Sequence, residues 1–248
     1  MAEAAGTLAR PMRRRDLGEI AGRRFYQIMA LVAAAVIVYG FSQTVDANLI
    51  HPAKPRPAIL YFHAPVFVAW LLLFLTQTSL IQAGRVNWHM RLGVAGAALG
   101  FTMIPLGIAT AIAMDRFHGD SDSFSFFAIQ TGDMLNFGCV LTAALLMRGR
   151  PEFHRRLMLV ATVLLTDAGF GRFPGWIVPQ LWFPAFAYLA VDLLIGIAIA
   201  RDLLVMKRVH PVYLWALPLV ICAQTIETLL YRTHSAQWMA LVHKIIGV

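Results

Sequence analysis

Long apolar stretches alternate with short polar segments along almost the whole chain. A helix needs about 20 apolar residues to cross a membrane, and seven stretches reach that length. Proline or glycine stands in most of the connecting segments, where it favours a turn. The pattern predicts an all-α, polytopic transmembrane helix bundle with seven spans. The predicted spans are 25–45, 58–81, 91–114, 124–147, 156–178, 184–205 and 211–231.

The composition supports a membrane protein. Of the 248 residues, 59% are hydrophobic and 14% are charged, whereas soluble domains carry about 25% charged residues. The net charge of +8 comes from short basic clusters between apolar stretches and not from one continuous basic surface. This distribution is typical of the positive-inside rule for membrane proteins, and it argues against nucleic-acid binding.

The positions of Lys and Arg predict the orientation and the division of the chain. Basic residues concentrate before the first span and in every second connection, which places the amino terminus in the cytoplasm. We therefore expect a multi-pass protein of the bacterial inner (plasma) membrane. Its predicted parts are a basic cytoplasmic arm at 1–24, a transmembrane domain at 25–231 and a carboxy-terminal tail at 232–248.

The tail is too short to span a membrane. Its apolar residues recur at helical spacing opposite Gln237, His243 and Lys244. This pattern suits a helix that lies in the outer interface. It suits equally well an extension of the seventh helix that packs on the bundle.

One short pattern occurs twice: Arg, three residues, His, one residue, Arg, Leu, at 85–92 and at 150–157. Each copy joins two predicted spans on the cytoplasmic side. Such residues could anchor helix ends among lipid head groups, hold an anionic ligand between guanidinium groups, or ligate a metal or haem iron. With one more histidine at a helix end, the cluster contains Arg85, His89, Arg91, Arg150, His154, Arg156 and His210.

A second candidate site consists of polar residues inside the predicted spans. Ionisable groups in a membrane are costly and indicate function by default. On the predicted orientation all of them lie in the outer half of the bundle, so we expect a shared pocket. Its four carboxyl groups outnumber the nearby cations, which requires protonation or a bound cation. The predicted pocket residues are His63, Gln130, Asp133, Asp167, Arg172, Asp192 and Glu227.

The fifth predicted span contains several helix breakers near this pocket. They are expected to bend or unwind the helix beside Arg172, and unwound backbone inside a membrane is tolerated where it lines a cavity. The breakers are Gly169, Gly171, Pro174 and Gly175.

Two stretches carry a resemblance to known proteins. Tyr61-Phe-His63-Ala, Gln77 and the first Arg-His pattern, followed by Phe153-His154-Arg155-Arg156-Leu157-Met158, resemble a family of uncharacterised bacterial multi-pass membrane proteins with His-Arg-Arg-Leu-Gly and His-Arg-Arg-Leu-Met helix starts. The second pattern is also similar to small membrane proteins that take part in assembling haem-containing terminal oxidases. That similarity implies a link to haem or an oxidase through His154.

Four classes of function follow from these observations. The first is binding or transport of a cation, proton or small polar ligand in the outer pocket. The second is a haem b redox protein or oxidase-assembly factor that uses His89 and His154. The third is an intramembrane hydrolase with a divalent metal held by His63, Asp133 and Asp192. The fourth is an accessory subunit of a membrane complex or a homo-oligomer, in contact with membrane lipids. The sequence leaves open whether the protein is an enzyme.

Overall fold

The computed structural model describes residues 14–177 and 183–247, with side chains from Arg24 onward. Every regular element in these ranges is helical, which confirms the predicted all-α fold. A π-helical turn at Asp46–Ile50 precedes the second helix. The α-helices are α1 Arg14–Ser42, α2 Ala58–Gln82, α3 Val86–His118, α4 Ser121–Leu146, α5 Pro151–Leu164, α6 Asp167–Phe170, α7 Ala185–Met206, α8 Pro211–Thr233 and α9 Ala236–Ile246.

Five of these helices are long and apolar enough to cross a membrane: α1 from Arg24 onward, α2, α3, α4 and α8. They make the chain suited to be an integral membrane protein. The predicted span 156–178 is interrupted. Residues 171–177 are not helical, as expected beside Arg172, but a first break comes earlier than expected, because α5 ends at Leu164 and the four-residue α6 follows. At about 1.5 Å per residue, α5 is shorter than the bilayer core of about 30 Å.

Helix α5 lies at the centre of the bundle. It packs against α1, α4, α7 and α8, while α1, α2, α3, α4, α8 and α7 follow one another around it and α7 returns to α1. The side chains of Leu157, Leu159, Val160, Ala161 and Val163 are buried. A helical stretch that is apolar on all sides is stable only inside a larger assembly, so this part of α5 needs the helices packed around it.

Glycines bring neighbouring helices close together. A methyl group added to Gly100 of α3 would come within 2.5 Å of Leu141 on α4 and 2.8 Å of Trp70 on α2. A methyl group on Gly40 of α1 would collide with the backbone carbonyl of Gly169 in α6. Since backbones can approach this closely only at small residues, these positions fix how α3 packs and where α6 lies.

The tail forms α9, which packs against the neighbouring ends of α3 and α4. Val242 and Ile246 are buried there against Phe124 and Phe127. The helix begins after Ser235, whose hydroxyl oxygen accepts a hydrogen bond from the Trp238 backbone amide at 3.3 Å. The tail therefore packs on the bundle as a separate helix, and its location at the membrane interface stays a prediction, as does the division at residues 24 and 232.

Side-chain contacts define the two ends of the bundle. At the Asp120 end, α3 meets α4 and α8 meets α9, and Arg232 donates to the Phe183 carbonyl at 2.7 Å. At the Arg150 end, α2 meets α3, α4 meets α5 and α7 meets α8. Asp120 caps α4 by accepting from the Ser123 amide at 2.7 Å, and this hydrogen bond lowers the pKa of its carboxyl.

A buried ionic triad joins α5 to α7 at the Arg150 end. The Nε and Nη2 atoms of Arg156 donate to the two Asp202 carboxylate oxygens at 2.7 and 2.9 Å, and both side chains are fully buried. Arg201 donates to the same carboxylate at 2.8 Å. The bidentate geometry is the strongest arrangement available to this pair, so the triad holds the base of the central helix in place.

Asp202→Asn should destabilise the protein strongly, because it leaves the Arg156 guanidinium buried without its counter-ion. Breaking a buried pair from one side costs roughly 3–5 kcal/mol. The free energy of unfolding in detergent, measured by denaturant titration, checks this. The matched control is Asp122→Asn, since the Asp122 side chain is 84% exposed. Equal stability of the two variants would contradict a structural role for the triad.

Candidate functional site

Three carboxyl groups from three elements meet where the central helix ends. Asp133 lies on α4, Asp167 begins α6 directly after the end of α5, and Glu227 lies on α8. The side chains of Asp133 and Asp167 are hydrogen-bonded to each other, and Glu227 is close enough to interact electrostatically with both. A hydrogen bond between two carboxyl groups requires a proton on one of them. We call these three residues the carboxyl cluster.

Neutral donors hold the Glu227 carboxylate. The Tyr188 hydroxyl donates to Oε2 at 2.5 Å, and the Asn136 amide donates to Oε1 at 2.9 Å. Gly132 lies against the same carboxyl group, and any side chain there would collide with it. Both oxygens of Glu227 therefore have partners, and a glycine on α4 provides the space for them.

In the described part of the chain, no Lys or Arg forms an ion pair with the carboxyl cluster. Arg172 interacts electrostatically with Asp167, but its guanidinium donates to the Ala168 carbonyl at 2.5 Å and lies 4.2 Å from the centre of the Phe41 ring. The Arg172 side chain is exposed. The negative charge of the cluster is thus only partly balanced by protein cations.

Three of the predicted pocket residues lie beside the cluster without joining it. His63 stacks on Phe67 with ring centroids 4.0 Å apart, and its buried Nδ1 has no partner among the described residues. Gln130 has a buried Oε1 without a partner in the same part of the chain. Asp192 interacts with Gln224 of α8 instead of with the cluster. The predicted single pocket is therefore divided into the cluster and a separate Asp192–Gln224 pair.

Sequence reasoning did not assign Gly132, Tyr188 or Gln224 to the site. Tyr188 precedes Asp192 by four residues and Gln224 precedes Glu227 by three, which places each pair on one helix face. This spacing was the feature of the sequence that could have pointed to Tyr188 and Gln224. Tyrosine and glutamine are common enough in membrane helices that the spacing alone does not select them.

The proposed metal ligands are not brought together. No group of three His, Cys, Asp or Glu side chains within residues 14–177 and 183–247 is arranged to hold a metal ion. His63 faces Phe67, Asp133 pairs with Asp167, and Asp192 pairs with Gln224. The ligand set His63, Asp133 and Asp192 needed by the hydrolase interpretation is therefore absent from this arrangement.

At the Arg150 end, the two histidines of the repeated pattern lie side by side. The rings of His89 and His154 have centroids 6.3 Å apart and planes at 77°. Nδ1 of His154 is hydrogen-bonded to the Ala144 carbonyl at 2.8 Å, and His89 is hydrogen-bonded to the Gln77 backbone. Haem ligation by this pair stays a prediction.

The basic residues around these histidines do not form one ring. Arg85, Arg91 and Arg150 are exposed, whereas Arg156 is fully occupied by the buried triad. His210 is buried and caps α8, its Nδ1 accepting from the Val212 amide at 3.3 Å. The structure thus removes Arg156 from the predicted anion-binding set, and the exposed arginines suit contact with lipid head groups.

Gly132→Ala should destabilise the protein, because the added methyl group occupies the space of the Glu227 carboxyl and separates it from Tyr188 and Asn136. Leaving such buried groups without partners costs roughly 1–3 kcal/mol. Thermal unfolding in detergent measures the loss. Gly196→Ala on α7 is the control, since an added methyl group there meets nothing within 4 Å. If both variants unfold alike, Gly132 does not position Glu227.

Stability should fall as the pH drops below about 6.5, in part through His210. Burial, together with the positive charge of Arg156, lowers the pKa of His210 in the folded protein. The unfolded chain then binds the proton more readily, so acid favours unfolding. In His210→Asn, which retains a capping side chain, melting temperatures measured across this pH range should decline less. An unchanged decline would exclude His210 as a contributor.

Comparison of this chain with models of known protein families, with curated proteins and with solved structures found no match.

Proposed function

We propose that the protein is an integral membrane protein of seven spans that binds or transports a proton, a cation or a small polar ligand at the carboxyl cluster. The observation that carries the proposal is the convergence of Asp133, Asp167 and Glu227 at the end of the buried central helix, with neutral hydrogen-bond partners. Ionisable groups inside a membrane are costly and indicate function by default, and the carboxyl cluster lacks the matched ion pairs of the structural triad.

The end of α5 adds to the negative character of the site. The last carbonyl groups of a helix carry partial negative charge, and α5 ends at Leu164, close to Asp167. Carboxylates and helix carbonyls together favour a proton or cation and disfavour an anion. A helix broken in the middle of a bundle is also how many carriers expose backbone groups to a ligand.

Seven spans result when two crossings are added to the five long apolar helices. One is α7, and the other consists of α5, α6 and the segment that follows them. Helix α7 has 22 residues, and two of its three ionisable Asp and Arg residues, Arg201 and Asp202, belong to the buried triad with Arg156. Neutralised charges at one end of a helix do not prevent it from crossing. The distribution of Lys and Arg keeps the amino terminus in the cytoplasm of a bacterial cell.

Thermal unfolding of the detergent-purified protein tests this function. Sodium, lithium, potassium and choline chlorides are compared at equal ionic strength and at several pH values. A bound ligand stabilises the folded state by mass action, by about 2.7 kcal/mol at a hundred times its dissociation constant. We expect one cation, or protons, to raise the melting temperature of the native chain and to have little effect on Asp167→Asn.

Asp122→Asn, with its exposed carboxyl group, serves as the control and should respond like the native chain. The comparison with Asp167→Asn isolates the cluster from other titrating groups such as His210. If the native chain and Asp167→Asn respond identically to every salt and pH, the cluster binds neither a cation nor a proton.

A further inference from the structure

We propose that Asp192, supported by Gln224, is a second proton-binding site that is coupled to the carboxyl cluster along the interface of α7 and α8. The inference rests on the proposed function and specifies the proton as the ligand. The cluster and the pair would then form two successive stations of one path.

The geometry places the two stations on consecutive helix turns. Tyr188 and Asp192 are four residues apart on α7, and Glu227 and Gln224 are three apart on α8, so each pair lies on one face of its helix. Tyr188 is hydrogen-bonded to Glu227, and on the next turn Asp192 interacts electrostatically with Gln224. At about 1.5 Å per residue, the second link lies roughly 5–6 Å from the first.

Asp192 has the chemistry to take up and release a proton. Its Oδ1 is buried without a hydrogen-bond partner among the described residues, and no Lys or Arg in that part of the chain pairs with it. Gln224 is 5% exposed. An amide can donate to a carboxylate and can accept from a carboxylic acid, so Gln224 can support Asp192 in both protonation states.

Among the helices packed against α7, the carboxyl groups that could exchange a proton with Asp192 belong to the carboxyl cluster. On the helices packed against α7, the ionisable residues in the half towards the Asp120 end are Tyr39 of α1, Asp167 of α6, and Cys222, Glu227, Tyr231 and Arg232 of α8. The two carboxyl groups among them, Asp167 and Glu227, both belong to the cluster. Helix α5 has no ionisable residue between Arg156 and its end.

An apolar layer closes the path beyond Asp192. Ten residues, or about 15 Å, separate it from Asp202 and the buried triad on the same helix. The side chains buried in this layer on α7 and α8 are apolar, among them Ile195, Ala198, Ala216 and Val220. Asp192 is thus the last proton acceptor on this side of the cluster in the present conformation.

Infrared difference spectroscopy of the purified protein, recorded across a pH titration, tests the proposal through the carbonyl band of protonated carboxyl groups. The native chain should show several titrating components, and Asp192→Asn should lack one of them. Glu227→Gln should shift the midpoint of the Asp192 component by about one pH unit, as for interacting sites. Asp122→Asn is the control and should leave these buried components unchanged.

Gln224→Leu keeps the Asp192 carboxyl and removes its amide partner, so it should shift the same component even if Asp192→Asn folds poorly. A spectrum in which neither Asp192→Asn nor Gln224→Leu alters a titrating component overturns the proposal. If the titration midpoint of the Asp192 component is the same in Glu227→Gln as in the native chain, the coupling between the two sites is overturned. If Asp167→Asn removes titrating components while Asp192→Asn and Gln224→Leu change none, the second site is rejected and the proposed function at the carboxyl cluster stands.

Discussion

The structure depends on how the polar ends of one buried helix are satisfied. Helix α5 packs against α1, α4, α7 and α8, and the charged side chains at the two ends of its buried stretch, Arg156 and Asp167, are themselves buried. Polar groups in such a position must find partners inside the protein. At the Arg150 end, Arg156 and Asp202 are each other's partners and form two hydrogen bonds. The other end has three carboxyl groups and neutral donors, and this difference is the reason to look for a ligand there.

Close contacts between backbones allow the carboxyl groups to converge. Gly40 lets α1 touch the backbone of α6, which holds Asp167 near the bundle axis. Gly132 lets the Glu227 carboxyl lie directly on α4, between Asn136 and Tyr188. Larger residues at these glycines would separate the helices. The site is therefore built by the packing of helix backbones as much as by the charged side chains themselves.

The lengths of the apolar stretches were sufficient to predict most of the helices. The predicted span 58–81 corresponds to α2, Ala58–Gln82, and 211–231 corresponds to α8, Pro211–Thr233. In the span 156–178 the expected unwinding beside Arg172 is present, but the helix already ends at Leu164, before the first glycine. No helix-breaking residue type marks Leu164, Leu165 or Thr166. Tertiary packing of the following segment against α1 and α7 decides where this helix stops.

The site was predictable only in part. Asp133, Asp167 and Glu227 stand out because carboxyl groups are rare inside apolar stretches. Asp192 looks identical in the sequence, and only its rotational position on α7 directs it to Gln224. Asp202 was overlooked because a carboxylate near a helix end resembles a residue at the membrane surface. Depth along a helix can be counted from a sequence, whereas the direction a residue faces requires the packed bundle.

The hydrogen bond between Asp133 and Asp167 constrains what the site can bind. It needs one shared proton, and it occupies oxygen atoms that a metal ion would otherwise use. A cation with oxygen ligands at about 2.3–2.6 Å would have to enter between the two carboxyl groups and release that proton. Proton and cation are therefore mutually exclusive at this pair. Glu227, already bonded through both oxygens, can contribute charge to either occupant without changing its own partners.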